Sequence, residues 1–271
     1  MTRPHIEFIQ TQALSWSTGA DGVAIKILNA DPESEARTVL TRLPPGWNVT
    51  PGMEAAKASE FFVLDGEIEI DGESFSRHAY GFLPADHDWR VKRSEGGATL
   101  LVFDYAVGDP DSASGDPIAV DTAHIPWDDS LYDPALIHLR LARKVLRMGD
   151  NNSGRTYLLT GLPHGRPDVP DLQQETHPHA EEMFMISGEM SAPEGMMRTG
   201  AYFYRPPGII HGPHVSDLGF LMLMRNPGSN RVITDWSIER RPLPLNAPYQ
   251  PILPPGSPEA LRQPWPDPVT Y

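Results

Sequence analysis

The chain repeats itself, and a repeat constrains a fold tightly, because whatever one half forms the other half can form as well. Lys26-Ile27-Leu28 matches Lys144-Val145-Leu146 and Arg37-Thr38 matches Arg155-Thr156, both at an offset of 118, and Leu43-Pro44 matches Leu162-Pro163 at 119. Glu60-Phe61-Phe62-Val63-Leu64-Asp65-Gly66 then matches Glu182-Met183-Phe184-Met185-Ile186-Ser187-Gly188 at 122. Pro84 with Pro206 and Gly97 with Gly219 keep that last offset. The lead-ins Leu14-Ser15-Trp16 and Ile125-Pro126-Trp127 agree as well. Ordered matches that drift by only a few residues are what surface-loop insertions leave between two copies of one domain.

Each copy reads as short β-rich runs broken by turn residues. The first gives expected strands at 23–28, 38–43, 60–70 and 99–105, with Asp71-Gly72 as a hairpin turn. The second gives 139–148, 156–162, 183–190, 201–205 and 220–225. A weak helical pattern over 133–147 coincides with a strand of the first copy and is read as strand. Twenty-nine prolines and 23 glycines, scattered throughout, also suit many short strands. The expected fold class is all-β. The expected divisions are 1–107, a breaker-rich linker over 108–130, 131–240, and a proline-rich tail over 241–271, extended over the surface or over a partner subunit.

Chemistry is concentrated in the second copy. His177-Pro178-His179-Ala180-Glu181-Glu182 puts two imidazoles at i and i+2, on one face of a strand, with a carboxylate following. His211 returns from the turn-rich run Pro206-Pro207-Gly208-Ile209-Ile210. With no cysteine in the chain, thiolate sites and disulfides are excluded, and imidazole with carboxylate suits Fe, Mn, Zn or Ni. At the 122 offset His177 falls on Ala55, His179 on Lys57, Glu181 on Ser59 and His211 on Trp89, while Gly200 and Gly208 fall on His78 and Asp86. The first copy thus lacks every expected ligand. Glu182 keeps a counterpart, Glu60, and is read as a turn or surface residue common to both copies. Glu181 is favoured as the ligand; Glu182, or a site of three histidines and no carboxylate, remain alternatives. His214 is a candidate general acid or base beside the metal. The alternating Met183, Met185, Met190, Met222 and Met224 are read as barrel core, with Met183 and Met185 as candidates to line an adaptable apolar pocket at the metal, and Arg225 is expected to face outward.

Gly200-x5-Pro206-x-Gly208-x2-His211 and His177-x-His179 with Glu181-x6-Gly188 resemble the two motifs of the cupin superfamily, the first motif with a shortened loop. The whole chain resembles a bicupin: two tandem cupin barrels of the double-stranded β-helix, or jelly-roll, type. It is similar to germins, oxalate decarboxylases, quercetin dioxygenases and the cupin domains of anti-sigma factors. The resemblance implies one divalent metal per chain, held by His177, His179, Glu181 and His211, with Fe(II) favoured over Mn, Zn or Ni. It implies a small-molecule substrate and a homodimer. The activity expected first is a dioxygenase cleaving a C–C bond of a small ketone, diketone or hydroxyaromatic compound. The alternatives are a non-redox isomerase, decarboxylase or lyase, and a non-catalytic binding module. A net charge of −14 argues against nucleic acid or an anionic membrane as partner. The chain has neither an apolar membrane-spanning stretch nor a signal-type N-terminus, so a cytoplasmic protein is expected.

Overall fold

The computed structural model describes residues 3–50, 57–85, 87, 89–109, 116–130, 133–150 and 153–265. Ala55, Asp86, residues 110–115 of the expected linker and the end of the tail lie outside the described residues. The strands are β1 (Ile6–Gln10), β2 (Ser17–Thr18), β3 (Ala24–Ala30), β4 (Arg37–Leu43), β5 (Trp47–Val49), β6 (Ser59–Ile70), β7 (Glu73–Ser76), β8 (Ala79–Leu83), β9 (Lys92–Ser94), β10 (Ala98–Asp104) and β11 (Ile118–Asp121). They continue with β12 (Ala142–Met148), β13 (Gly154–Gly161), β14 (Asp171–Thr176), β15 (Glu181–Ala192), β16 (Gly195–Arg198), β17 (Ala201–Arg205), β18 (Phe220–Pro227) and β19 (Asp235–Pro242). The described helical segments are 3₁₀ stretches of three to six residues, so the protein is all-β. No described helix is long and apolar enough to cross a membrane.

The chain divides into two compact units, Met1–Arg3 with Ser15–Pro126, and Pro4–Leu14 with Trp127–Tyr271. In the first, the sheet runs β11-β8-β6-β10-β4-β3-β2, with β7 and β9 on β6 and β5 on β9. In the second it runs β1-β17-β15-β18-β13-β12, with β16 on β15, and β14 pairs separately with β19. Neither path returns to its starting strand.

Each sheet takes an edge strand from the segment just ahead of the other copy. β1 precedes the first copy yet pairs with β17, Ile6 opposite Tyr204, while β11 precedes the second and pairs with β8, Ile118 opposite Phe82. Phe82 and Tyr204 are themselves 122 residues apart, so β1 and β11 hold equivalent places. The Ile6–Ile9 run, rich in β-branched and aromatic residues, finds its sheet edge within this chain.

Local sequence accounts for the turns. Asp71 and Gly72 have φ of 53° and 89°, the left-handed pair that a two-residue hairpin needs, and they join Ile70 to Glu73. At Gly188 (φ 86°) an added Cβ would stand 2.2 Å from the Gly219 carbonyl, and at Gly66 (φ 75°) the same distance from that of Gly97. This close backbone approach is why both copies keep the glycine. At 134–139 the expected strand yields to a 3₁₀ turn, because Asp133 accepts the Ala135 N–H at 2.9 Å and Pro134 starts the turn.

Alternation along β15 sorts its side chains onto two faces. Met183 and Met185 join the core cluster of the second unit, with Phe8, Met190, Phe203, Met222 and Met224. Glu182 lies on the opposite face and is buried there, so its expected turn or surface role is corrected. The Tyr202 hydroxyl donates to Glu182 Oε1 at 2.5 Å, and Arg225 Nη1 lies 3.5 Å from Oε2. Arg225 is therefore buried in an ion pair, where the sequence suggested an outward-facing side chain. The first unit repeats the arrangement: Glu60 is buried and accepts from Tyr80 at 2.7 Å and from Tyr105. The tail lies along the second unit, Glu7 N–H donating to the Ile252 carbonyl at 2.9 Å and the Tyr249 ring meeting that of Phe8.

Candidate metal centre

Four polar side chains reach the interior of the second unit from three places. Glu175 stands near the end of β14, His177 just beyond it, Glu181 at the first position of β15, and His211 after the turn that follows β17. Glu175 and His211 exchange backbone hydrogen bonds at 3.0 Å in each direction, which puts the two chain segments side by side. Gly208, at φ 82°, donates its N–H to the His177 carbonyl at 2.8 Å and so ties the Pro-Pro-Gly turn to the first histidine. That is the physical reason for a glycine at this point of the motif.

Donor atoms of Glu175, His177 and His211 lie within 4.8 Å of one another, close enough for one ion to bridge them. His211 Nε2 is 3.7 Å from Glu175 Oε1 and 3.6 Å from Glu181 Oε2, and His177 Nε2 is 3.8 Å from Glu181 Oε1. His177 Nδ1 lies 2.8 Å from the Ile233 carbonyl, and His211 Nδ1 3.0 Å from that of Ile209. Those contacts hold the proton on Nδ1 and leave each Nε2 lone pair turned to its neighbours, the arrangement of metal-binding imidazoles. Burial, reinforced by the Arg205 and His214 charges, holds His211 well below its ordinary pKa, so the ring is neutral near pH 7. Burial pushes the Glu175 carboxyl up, but the hydrogen bond and charge of His214, with His177 and Arg205, outweigh it and leave the pKa lowered. All four groups are buried, and the donor set fits a divalent cation.

His179 stands apart. Its ring stacks on His177 at 5.2 Å, but its Nε2 accepts the Ile233 N–H at 3.2 Å, and it is not among the residues lining the cavity. Glu175 joins the candidate donor group at a position that sequence reasoning missed, and the signal was a shift of register. Begun at His177-x-His179, the motif leaves one residue before Glu181; begun two residues earlier, Glu175-x-His177-x3-Glu181-x6-Gly188 restores a three-residue interval. A carboxylate then occupies the place of the first histidine.

The group opens on a cavity of about 260 Å³. Its apolar wall includes Tyr157, Met190, Phe203, Phe220, Met222 and Met224, drawn from the same core cluster as Met183 and Met185, which are not among the lining residues. Tyr157 borders this space, and its hydroxyl has no hydrogen-bond partner among the described residues. Burial, then the Glu181 charge, raises its pKa far above the ordinary phenol, so it stays a hydrogen-bond donor. Arg143 also borders the cavity, with one long contact of 3.7 Å to Asp128. His214, the candidate acid or base, lines the cavity with Nδ1 3.4 Å from Glu175 Oε1. Behind Glu181, Arg205 Nη1 donates to its Oε2 at 2.7 Å, and Arg205 Nε donates to Glu7 at 2.6 Å.

A family profile described as a domain of unknown function (DUF4437) matches residues 9–232. No curated protein matches the chain. Among solved structures, a Nostoc punctiforme protein described as a "putative dioxygenase" superposes with a TM-score of 0.71 at 20% identity, over 88% of this chain and 92% of that one. An oxalate decarboxylase–formate complex from Lactobacillus farciminis gives 0.56 at 10% identity, over 85% and 88%. A cupin 2 conserved barrel domain protein from Leptotrichia buccalis gives 0.54 at 14% identity, over 83% and 97%. The fold is that of cupins.

Proposed function

The chain belongs to the DUF4437 family and carries a cupin fold, and from this we propose a metal-dependent enzyme built as two tandem cupin barrels, active in the second. We infer a non-haem Fe(II) dioxygenase that cleaves a C–C bond of a small ketone, diketone or hydroxyaromatic compound. The observation that carries this reading is the convergence of two imidazoles and a carboxylate on an apolar cavity. Two histidines and one carboxylate with open positions form the donor set of non-haem iron oxygenases. Iron held there would supply redox chemistry with O₂.

The protein's own groups have definite parts. The cavity is small beside ligand pockets of about 300–1,000 Å³, which favours a compact substrate. Its methionines and aromatic rings exclude water and receive the substrate's carbon skeleton. The Tyr157 hydroxyl and the Arg143 guanidinium are donors for a carbonyl or enolate oxygen. His214 can hold or pass a proton at Nδ1, beside Glu175.

A second reading rests on Glu181. With both carboxylates bound the shell is richer in oxygen, which suits manganese and Lewis-acid chemistry such as decarboxylation or isomerisation. Elemental analysis of protein purified without oxygen, with O₂ uptake on small diketones and hydroxyaryl ketones, separates the two. The dioxygenase reading expects about one iron per chain, lost in His177→Ala and His211→Ala, and O₂ consumption that requires substrate. Stoichiometric manganese, zinc or nickel without O₂ uptake moves the function to the second reading. A protein that takes no metal after anaerobic reconstitution has neither activity.

A further inference from the structure

Three charges are buried in one line behind the metal centre. Glu7 accepts from Arg205 Nε at 2.6 Å and also from Nη2, and Arg205 Nη1 donates to Glu181 Oε2 at 2.7 Å. Glu7 is 1% exposed and Arg205 3%, so neither is a solvated surface charge. Removing three charges from water is costly, and an apolar cluster of the same shape commonly matches or exceeds such a network in stability. Stability alone is therefore a weak reason for the triad.

The internal repeat acts as a control. At the 122 offset Arg205 falls on Leu83 and Glu181 on Ser59, and in the equivalent strand β11, which lacks the bulge between Ile6 and Ile9, the residues at the level of Glu7 are Ile118 and Ala119, both uncharged. All three charges are missing from the unit where Trp89 replaces His211. The buried Glu182–Tyr202 pair, by contrast, survives in the first unit as Glu60–Tyr80. Groups that serve the sheet are kept in both copies; the triad is present only with the donor set.

We propose that Glu7, on the strand added from the N-terminal end, is a positioning residue for the metal centre: it fixes the Arg205 guanidinium, which in turn orients Glu181. Two hydrogen bonds donated to Glu7 set the plane of the guanidinium, a fork whose geometry matches a carboxylate. The remaining edge of that fork holds Glu181 Oε2. Glu181 Oε1, 3.8 Å from His177 Nε2, is the oxygen left to face a cation. The negative charge of Glu7 also cancels that of Arg205, so a positive group can stand behind the site without repelling the ion. This rests on the reading above in which Glu181 is bound beside Glu175.

Titration with Co²⁺, followed by its visible absorption, tests the role on the full chain. Wild type is compared with Glu7→Gln and with the shape-preserving pair Glu7→Leu/Arg205→Met, each checked for folding by circular dichroism. Groups that orient metal ligands typically contribute about 10–100-fold in affinity. Folded variants should bind Co²⁺ at least about tenfold more weakly and show a shifted cobalt spectrum. Folded variants with affinity within twofold of wild type and an unchanged spectrum overturn the inference and leave the metal site standing. A set of variants none of which folds assigns the triad to the core and overturns it too. Wild type that takes up no Co²⁺ removes the metal site itself, and the positioning role with it.

Discussion

At the start of β15 two adjacent carboxylates have different work. Glu181 turns into the cavity and meets Arg205, whereas Glu182 turns to the other face and accepts from Tyr202. A strand's period of two is the whole cause. Glu181→Gln should therefore weaken metal affinity by at least about tenfold and leave the melting temperature close to wild type. Glu182→Gln should keep the metal but lose about 1–3 kcal/mol, because the Tyr202 and Arg225 contacts are left poorly matched. Calorimetric titration and thermal melts on the two variants check both statements. The disappearance of Glu181, but not Glu182, from the first copy is visible in the sequence. The burial of Glu182 is not, since a glutamate on a strand gives no sign that a tyrosine waits across the sheet. Glu175 was obscured by its neighbours: His177 and His179 form the more conspicuous pair, and only the backbone bridge to His211 brings Glu175 to the centre.

Strands carry the next set of consequences. β1 supplies Phe8 to the core and Glu7 to Arg205 from the same short segment, on opposite faces. Burial raises the Glu7 carboxyl, but the Arg205 charge and hydrogen bonds outweigh it and hold the pKa down at about 2. A depressed folded pKa stabilises the protein fully above the unfolded carboxylate value of about 4.5, and that stabilisation is lost as pH falls from there toward 2. The amount is of order 3 kcal/mol. Urea unfolding of wild type should show this steep loss between pH 4.5 and 2.5, and Glu7→Gln should show a visibly shallower one. The strands β3, β4, β6, β10, β12, β13, β15, β17 and β18 were legible, because alternation and turn chemistry mark them, whereas β5, β7, β8, β9, β11, β14 and β16 were not. The sheet that β1 joins was not, because hydrophobic pattern identifies a strand without naming its neighbour.

At the scale of the molecule, one fold is used for two ends. In the first unit Trp89 packs against the core where the second has His211, and Leu83 is buried where the second has Arg205. Apolar side chains thus fill the space that the second unit keeps for polar groups and a cavity. Metal addition should stabilise only the second unit, by about 2.7 kcal/mol at a metal concentration 100 times Kd. Hydrogen exchange read by mass spectrometry should accordingly show added protection over 171–227 and 6–10, and none over 24–104. Protection spread equally over both ranges would contradict a single site. The repeat was legible because packing positions persist in both copies. The reciprocal placement of β1 and β11 was hidden, since each lies just outside the segment that repeats.

That placement also sets an order of events during synthesis. β1 leaves the ribosome before the strand it pairs with, and Arg205 of β17 follows Glu7 by 198 residues. At about 5–20 residues per second the strand waits roughly 10–40 s for its sheet. Through that interval its apolar side chains lack their native cover, so the nascent chain has a window in which a chaperone, or a strand of another chain, competes for it.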